Sequence, residues 1–177
     1  MNPCNYLSLE QEKNRYQEHN NDVNDVRYQN FVKPIINAVT TDYRKSDYGL
    51  DFGCGTGPVI TKLLQDVNYN ITTFDPFFNN NPEVLKTTYN FITCCEVIEH
   101  FHNPLKEFRL LKSLLKPSGK LYCMTELYND IINFEQWYYK NDDTHVIFYH
   151  LKTFAWIKEK LNFSRVRNSG RLVTFEV

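Results

Sequence analysis

The densest chemistry in the sequence lies in Gly49-Leu50-Asp51-Phe52-Gly53-Cys54-Gly55-Thr56-Gly57-Pro58. An apolar run leads into closely spaced glycines and straight into a helical pattern. Such a turn sets a ligand against bare backbone, because Gly53 and Gly55 have no Cβ and accept positive φ. The helix start beyond it favours a negative group. Two ligand classes use this device. A dinucleotide fingerprint, G-x-G-x-x-G, needs its third glycine at position 58; this chain has Pro58 there and its third glycine at Gly57. The acid Asp51 precedes the first of these glycines. A pyrophosphate would be repelled by that carboxylate, whereas a ligand carrying an ammonium group would use it. Four side chains further along, Glu96, His100, His145 and Tyr149, are of types that can take a proton. An imidazole does so near neutrality with little tuning, its unperturbed pKa being about 6.5.

Metal and disulfide chemistry have weaker support. The five cysteines, Cys4, Cys54, Cys94, Cys95 and Cys123, are odd in number and contain no C-x-x-C pair, against both a disulfide framework and a cysteine zinc site. Cys94, Cys95 and Cys123 stand in apolar runs, where a thiol serves as a small buried hydrophobe. His100-x-His102 lies on a helix-entry loop without partners in the sequence, so no metal is expected.

The elements that position these residues alternate. Residues 1–30 are polar, with a helix start near Ser8. Phe31–Val39 reads as a helix with Pro34 in its first turn. Tyr48–Phe52, Asn70–Asp75, Tyr89–Cys95 and Lys120–Thr125 read as strands, the third apolar enough to be buried on both faces. Pro58–Gln65, Leu105–Leu115 and Thr153–Leu161 read as helices. Lys116-Pro117-Ser118-Gly119 stops the second of these, and Phe163–Arg167 with Arg171–Glu176 reads as a closing hairpin turned at Asn168-Ser169-Gly170. Strands alternating with helices imply an α/β doubly wound, mostly parallel sheet with a C-terminal antiparallel hairpin.

Taken in order, the motifs resemble the class I S-adenosylmethionine-dependent methyltransferases. Leu50-Asp51-Phe52-Gly53-Cys54-Gly55-Thr56-Gly57 is similar to that family's first motif. Asp75 stands where its second acid ends the next strand. Phe91 to Phe101 (FITCCEVIEHF) resembles its fourth strand and the following turn, and Leu114 to Leu121 (LLKPSGKL) its helix stop before the fifth strand. The resemblance implies a Rossmann-like fold with S-adenosylmethionine as cofactor. By that likeness the glycine turn (Gly53, Cys54, Gly55, Gly57) holds the methionine part, Asp51 lies near its ammonium group, and Asp75 takes the ribose hydroxyls, two acceptor oxygens suiting two vicinal hydroxyls. Pro76, Phe77, Cys95, Glu96 and Val97 fall on the cofactor side of the same turns. A narrower likeness, to a bacterial subgroup of type 11/12 methyltransferases, rests on Glu12-Lys13-x-Arg15-Tyr16-x-x-His19-Asn20-Asn21, on Asp75-Pro76-Phe77-Phe78 and on Tyr139 to Val146. It adds Tyr16 and His19 to the cofactor contacts. Relatives in that subgroup often carry a cysteine-rich, zinc-binding segment ahead of the Glu-Lys-x-Arg-Tyr stretch. The chain starts too late for one, and Cys4 alone cannot hold zinc.

Only residues 76–90 separate the ribose-binding strand from the strand at Tyr89–Cys95. A crossover alone takes about a dozen residues. The sheet is therefore expected to have six strands, without the family's third. Residues 126–150, after the Lys120–Thr125 strand, form a long insertion with Trp137, Tyr138, Tyr139, Phe148 and Tyr149. They either pack a small subdomain or cover the site, where an aromatic cap suits a small organic acceptor and excludes water. Methyl transfer from a sulfonium is an in-line displacement, for which alignment supplies roughly 7–11 kcal/mol; a base is needed only if the acceptor holds its proton at pH 7. Glu96, His100, His145 and Tyr149 are the candidate bases. Glu96 reads either as a site residue or, with Glu99, as a solvated loop carboxylate, and His145 either as a base or as a buried residue holding the insertion closed.

Length and composition bound the rest. At 177 residues the chain fits one domain, here 1–177 with a helical cap at 1–45. Its 42% hydrophobic and 23% charged residues are globular rather than disordered composition. A net charge of −1 leaves no basic footprint and counts against nucleic acid. No apolar run is long enough to span a membrane, and the start shows no signal peptide, so the cytoplasm is the expected location. Three readings follow: methyl transfer to a small molecule, methyl transfer to RNA or protein, and a cofactor-binding protein without catalysis.

Overall fold

A computed structural model describes residues 1–18 and 21–177. The polar N-terminus forms α1 (Leu9–Glu18). Its capping box is completed by Gln11: Ser8 Oγ accepts from Gln11 N–H, and Gln11 Oε1 accepts from Ser8 N–H. Helix α2 runs from Val26 to Asp42, longer than the Phe31–Val39 expected. Asp25 caps it, its carboxylate accepting from Arg27 N–H at 2.8 Å. Pro34 therefore lies inside the helix rather than in its first turn. Pro34 and Asn30 are both exposed, so the carbonyl that loses its partner can turn to water.

Strands β1 (Tyr48–Phe52), β2 (Asn70–Phe74), β3 (Tyr89–Cys95) and β4 (Leu115–Met124) alternate with α3 (Val59–Asp66) and α4 (Pro104–Ser113). Helix α5 (Leu151–Leu161) and the hairpin β5 (Arg165–Ser169) and β6 (Leu172–Glu176) finish the chain. The sheet order is β2-β1-β3-β4-β6-β5, parallel through the first four strands and antiparallel in the last two. This is the six-stranded sheet anticipated. Residues 76–90 hold a turn and a short 3-10 segment, Pro82–Lys86, and no strand beyond β2. Strand β4 begins five residues before Lys120. It takes in Lys116-Pro117-Ser118-Gly119 as a register irregularity opposite Tyr89–Phe91, with Ser118 at φ 63°.

The buried residues alternate across the sheet. Leu50, Ile92, Leu121 and Cys123 face α4 and α5 with Phe108, Tyr149 and Phe154. Phe91, Tyr122 and Met124 face α2 and α3 with Val32, Ile35 and Leu64. A parallel strand register puts Phe52 beside Phe74, Asp51 beside Thr93, and Cys95 beside Met124. The turns that follow β1, β2, β3 and β4 therefore open at one edge, where open α/β sheets bind ligands. Helix α1 reaches over to that edge: Arg15 pairs with Asp142 at 3.0 Å, and Glu12 lies 2.7 Å from His102 Nε2. Among the described residues no helix is long and apolar enough to cross a membrane.

Candidate active site

The turn after β1 has the geometry its glycines allow. Gly53 sits at φ 76°, and a Cβ there would run into the Val97 side chain. Gly57 needs its bareness for another reason: a Cβ would collide with the backbone carbonyl of Asn21, so the N-terminal segment lies directly on the turn. Gly53 N–H donates to Phe74 O at 2.8 Å, tying the turn to the end of β2. There Asp75, 6% exposed, gathers three backbone donors: Gly55 N–H on Oδ2 at 2.9 Å, and Phe77 and Phe78 N–H on Oδ1 at 2.8 and 3.0 Å. A carboxylate has about four lone-pair sites, so Asp75 keeps one, on Oδ2, beyond these three donors. Pro76 is exposed, and Phe77 flanks the turn, its ring 5.6 Å from that of Tyr16. The Cys54 thiol is pushed up to about 12 by burial and by Asp51 and Asp75, so it acts as a neutral, small side chain here. Bare turn, single-site acid and aromatic flank fit the methionine and ribose parts of S-adenosylmethionine.

Asp51 lies beneath the turn. It is 3% exposed, and its two oxygens accept from Thr61 and Thr93 hydroxyls, each at 2.9 Å. Burial raises its pKa to about 6 against the pull of those two hydroxyls. It thus clamps α3 and β3 to the glycine turn from beneath. Cys95, half-buried, packs with the α2 side of the core, and its thiol is held neutral by burial. His19 lies outside the described residues.

The turn after β3 carries the acids. Glu96 has φ 51°, a left-handed conformation that costs a non-glycine residue on the order of 1–2 kcal/mol, and strain of this kind concentrates at functional sites. Its Oε2 accepts from Tyr139 and from Arg171 Nη2, each at 3.2 Å. Glu99 is fully buried on the short 3-10 segment Ile98–His100, and its Oε1 accepts from the same Tyr139 hydroxyl. Both carboxyl pKa values are raised, first by burial; for Glu96 the neighbouring Glu99 adds to it. Glu96 Oε1 and Glu99 Oε2 are buried and make no hydrogen bond among the described residues. Thr125 Oγ1, just after β4, completes the group 3.1 Å from the Tyr139 hydroxyl.

His100 and His145 join this cluster. His100 Nδ1 lies 3.0 Å from Thr144 O and His145 Nδ1 2.7 Å from Tyr139 O, with the rings 4.8 Å apart. Glu99, His100 and His145 each bring a ligand-type atom within 4.8 Å of the other two. These three could hold a cation, a grouping that the sequence, in which His145 lies far from the other two, does not show. The insertion is pinned here, Val146 and Ile147 N–H both donating to Glu99 O. Its aromatics Trp137, Tyr139 and Phe148 pack together with ring spacings from 5.1 to 6.2 Å. Tyr16 reaches the group from α1, its ring 5.2 Å from His100. Tyr149 does not join it. It is fully buried, stacked on Phe154 and hydrogen-bonded to Ile98 O at 2.9 Å, a core residue rather than a base.

Sequence reasoning missed Tyr139 as the hub and Arg171 altogether. Arg171 sits in the β5–β6 turn, bridges Glu96 and Glu126, and lies over the rings of Phe31 and Tyr139. No local signal marks it, since only the antiparallel pairing of β6 with β4 brings it to Glu96.

Comparisons agree with this architecture. The family described as a methyltransferase domain matches residues 24–168. A stretch of 59 residues is 36% identical to the ubiquinone biosynthesis O-methyltransferase of Actinobacillus pleuropneumoniae serotype 5b, covering 33% of this chain and 25% of that protein. The counterpart in Haemophilus ducreyi is 32% identical over the same length and coverage. The match thus spans about a quarter of the length of these relatives. A SAM-dependent methyltransferase structure from Archaeoglobus fulgidus superposes with a TM-score of 0.58 at 23% identity, covering 78% of this chain and 71% of that one. An O-methyltransferase family protein from Burkholderia thailandensis gives 0.58 at 11% identity, covering 86% and 60%. With the six-stranded sheet, the glycine turn and Asp75 at its carboxyl edge, and a family match over most of its length, the chain belongs to the methyltransferase-domain family, the class I enzymes that use S-adenosylmethionine.

Proposed function

We propose that the chain transfers a methyl group to a hydroxyl oxygen of a small organic molecule. The observation that carries this reading is the adjacency of two half-sites on one sheet edge. The cradle at Gly53–Gly57 and Asp75 is linked, through the rings of Phe77 and Tyr16, to the enclosed cluster of Glu96, Glu99, His100 and His145. S-adenosylmethionine supplies an electrophilic methyl on a sulfonium. The chain's residues do the rest. Asp75 takes a ribose hydroxyl. Glu96, Glu99 and the two imidazoles hold or accept the proton that an acceptor hydroxyl must lose. Trp137, Tyr139 and Phe148 wall the acceptor from water. The O-methyltransferase names of the relatives, including a mitomycin 7-O-methyltransferase of the same fold, support oxygen as the acceptor atom and a small molecule as its carrier. On this reading residues 1–177 act as one domain, with 1–45 as its cap and 126–150 as the acceptor wall.

The test is formation of S-adenosylhomocysteine from S-adenosylmethionine with a panel of phenols, catechols and hydroxylated quinols, followed by mass spectrometry of the products. A 14-dalton gain on a hydroxylated small molecule, absent with the O-capped analogue, is expected. Methyl label passing only to RNA or to protein, or cofactor binding with no transfer to any class, would overturn the proposal.

A further inference from the structure

The structure assigns a divalent-cation site to Glu99, His100 and His145, and we propose that it takes a borderline transition metal such as Mn²⁺ or Zn²⁺. The site is assembled from two distant pieces of chain. Glu99 and His100 stand on the 3-10 segment after β3; His145 comes from the returning limb of the insertion. One ligand-type atom from each lies within 4.8 Å of the other two. A cation drawing these atoms in to about 2.0–2.2 Å asks for movements of well under the length of a side chain.

Two features beyond proximity point to a cation. The first is the state of the imidazoles. Each has Nδ1 at hydrogen-bond distance from a backbone carbonyl, Thr144 O for His100 and Tyr139 O for His145. A carbonyl only accepts, so Nδ1 carries the proton and, in the neutral ring, Nε2 carries the lone pair. A carbonyl behind the far nitrogen is how proteins orient metal-bound histidines. The second is charge. Glu99 is fully buried, and its Oε2 makes no hydrogen bond among the described residues. Glu96 is next to it, and Tyr139 has a single hydroxyl proton for the two acids. Arg171 spends its Nη2 on Glu96 and Glu126. Leaving a buried carboxylate oxygen unpaired is costly, and a cation between Glu99 and the imidazoles removes that cost.

Two nitrogens and one carboxylate favour a borderline metal over Mg²⁺, which prefers an all-oxygen shell. Three protein ligands leave room for a further one, as in catalytic sites. In the part that rests on the proposed function, that further ligand is the acceptor's hydroxyl oxygen, which a cation would orient and acidify.

The test needs neither cofactor nor acceptor. The chain is stripped with a chelator, dialysed, and titrated with MnCl₂, ZnCl₂ and MgCl₂ by calorimetry. One equivalent of Mn²⁺ or Zn²⁺ should bind, with Mg²⁺ weaker by about tenfold or more. Pulsed electron paramagnetic resonance of the Mn²⁺ form should show coupling to imidazole nitrogen. His145→Ala should lower affinity at least about 100-fold, and Glu99→Gln, which keeps the shape of the side chain, should do likewise if the alanine variant fails to fold. No stoichiometric binding, equal affinity in these variants, or a manganese signal without nitrogen coupling would overturn the assignment. Methyl transfer to a hydroxyl by chelator-treated protein that binds no metal would overturn it and leave the proposed function standing. Tight nitrogen-coupled binding without methyl transfer would do the reverse.

Discussion

Asp51 and Asp75 receive five donors between them: hydroxyls from Thr61 and Thr93, and backbone N–H groups from Gly55, Phe77 and Phe78. At the end of the neighbouring strand, Glu96 and Glu99 share the hydroxyl of Tyr139, and one oxygen of each makes no hydrogen bond among the described residues. Every oxygen of the first pair has a donor from its own scaffold. Such acids fix shape, and Asp75 has a single lone-pair site to offer outside. The second pair is under-supplied with protons in a buried place, which suits groups that must hold a proton, a cation or a substrate. On the proposed function, one edge of the sheet thus carries a half that binds and a half that reacts.

The sharpest way to break that contrast is His145→Ala. If the second half does the chemistry and the glycine turn with Asp75 does the binding, turnover should fall about 10²–10⁴-fold, with cofactor affinity kept. Equilibrium binding of S-adenosylhomocysteine beside single-turnover rates checks it. A loss of melting temperature with turnover per folded molecule unchanged would make His145 a strut of the insertion, through its bond to Tyr139 O.

The half whose acids are bonded on both oxygens predicts a pH signature. Asp51 is raised from 3.8 to about 6 by burial. Its folded pKa lies above its unfolded one, so the folded chain binds the extra proton between those values, and stability falls as pH rises from about 4 to 6. The shift corresponds to about 3 kcal/mol, an order-of-magnitude figure, once the carboxylate is fully ionised. Asp51→Asn keeps the size of the side chain and removes the titration. Its melting temperature should change less than that of the parent across the window, and should match or exceed it at pH 8. Parallel curves for the two proteins would show that Asp51 is not the buried charge described here.

Asp75 tests binding directly. Asp75→Ala removes the acceptor for a ribose hydroxyl and the bond to Gly55 N–H. Affinity for S-adenosylmethionine should drop by roughly 1–3 kcal/mol. Calorimetry giving equal affinities would remove Asp75 from the cofactor site and, with it, the reading of this half as the binding half.

What could be read ahead of the structure divides along the same line. The glycine turn, Asp75 and the absent third strand are local facts: spacing within ten residues, an acid closing an apolar run, a connector too short for a strand and two crossovers. Local signals also explain the misplaced start of α2, since Pro34 imitates a first-turn proline while the true cap is Asp25. The reactive half joins residues 96–100, 139–145 and 171, and no spacing rule relates them. His145 could be named only as an alternative, Glu99 only as a solvated loop carboxylate, and Arg171 not at all, because the antiparallel return of β6 onto β4 decides where it falls.

Two tyrosines give the smallest and most selective test. Tyr139 and Tyr149 both carry hydroxyls that a list of possible bases would include, and both are buried. Their surroundings differ. Tyr139 lies among Glu96, Glu99 and Thr125, whereas Tyr149 bonds to one backbone carbonyl, Ile98 O, beneath stacked aromatic rings. Burial first, and then nearby acidic groups, raise both tyrosine pKa values, so neither hydroxyl is a base at neutral pH, and each works as a donor. Tyr149→Phe should then cost about 1 kcal/mol of stability for one hydrogen bond and leave turnover untouched. Tyr139→Phe removes the proton that two acids share. It should raise their proton affinity further and move the acid limb of the pH–rate profile upward, at a similar cost in stability. Denaturant melts and pH profiles of the two variants, run side by side, separate the outcomes. A shifted profile in Tyr149→Phe, or an unshifted one in Tyr139→Phe, would erase the distinction between a core hydroxyl and one that sets the charge of the site.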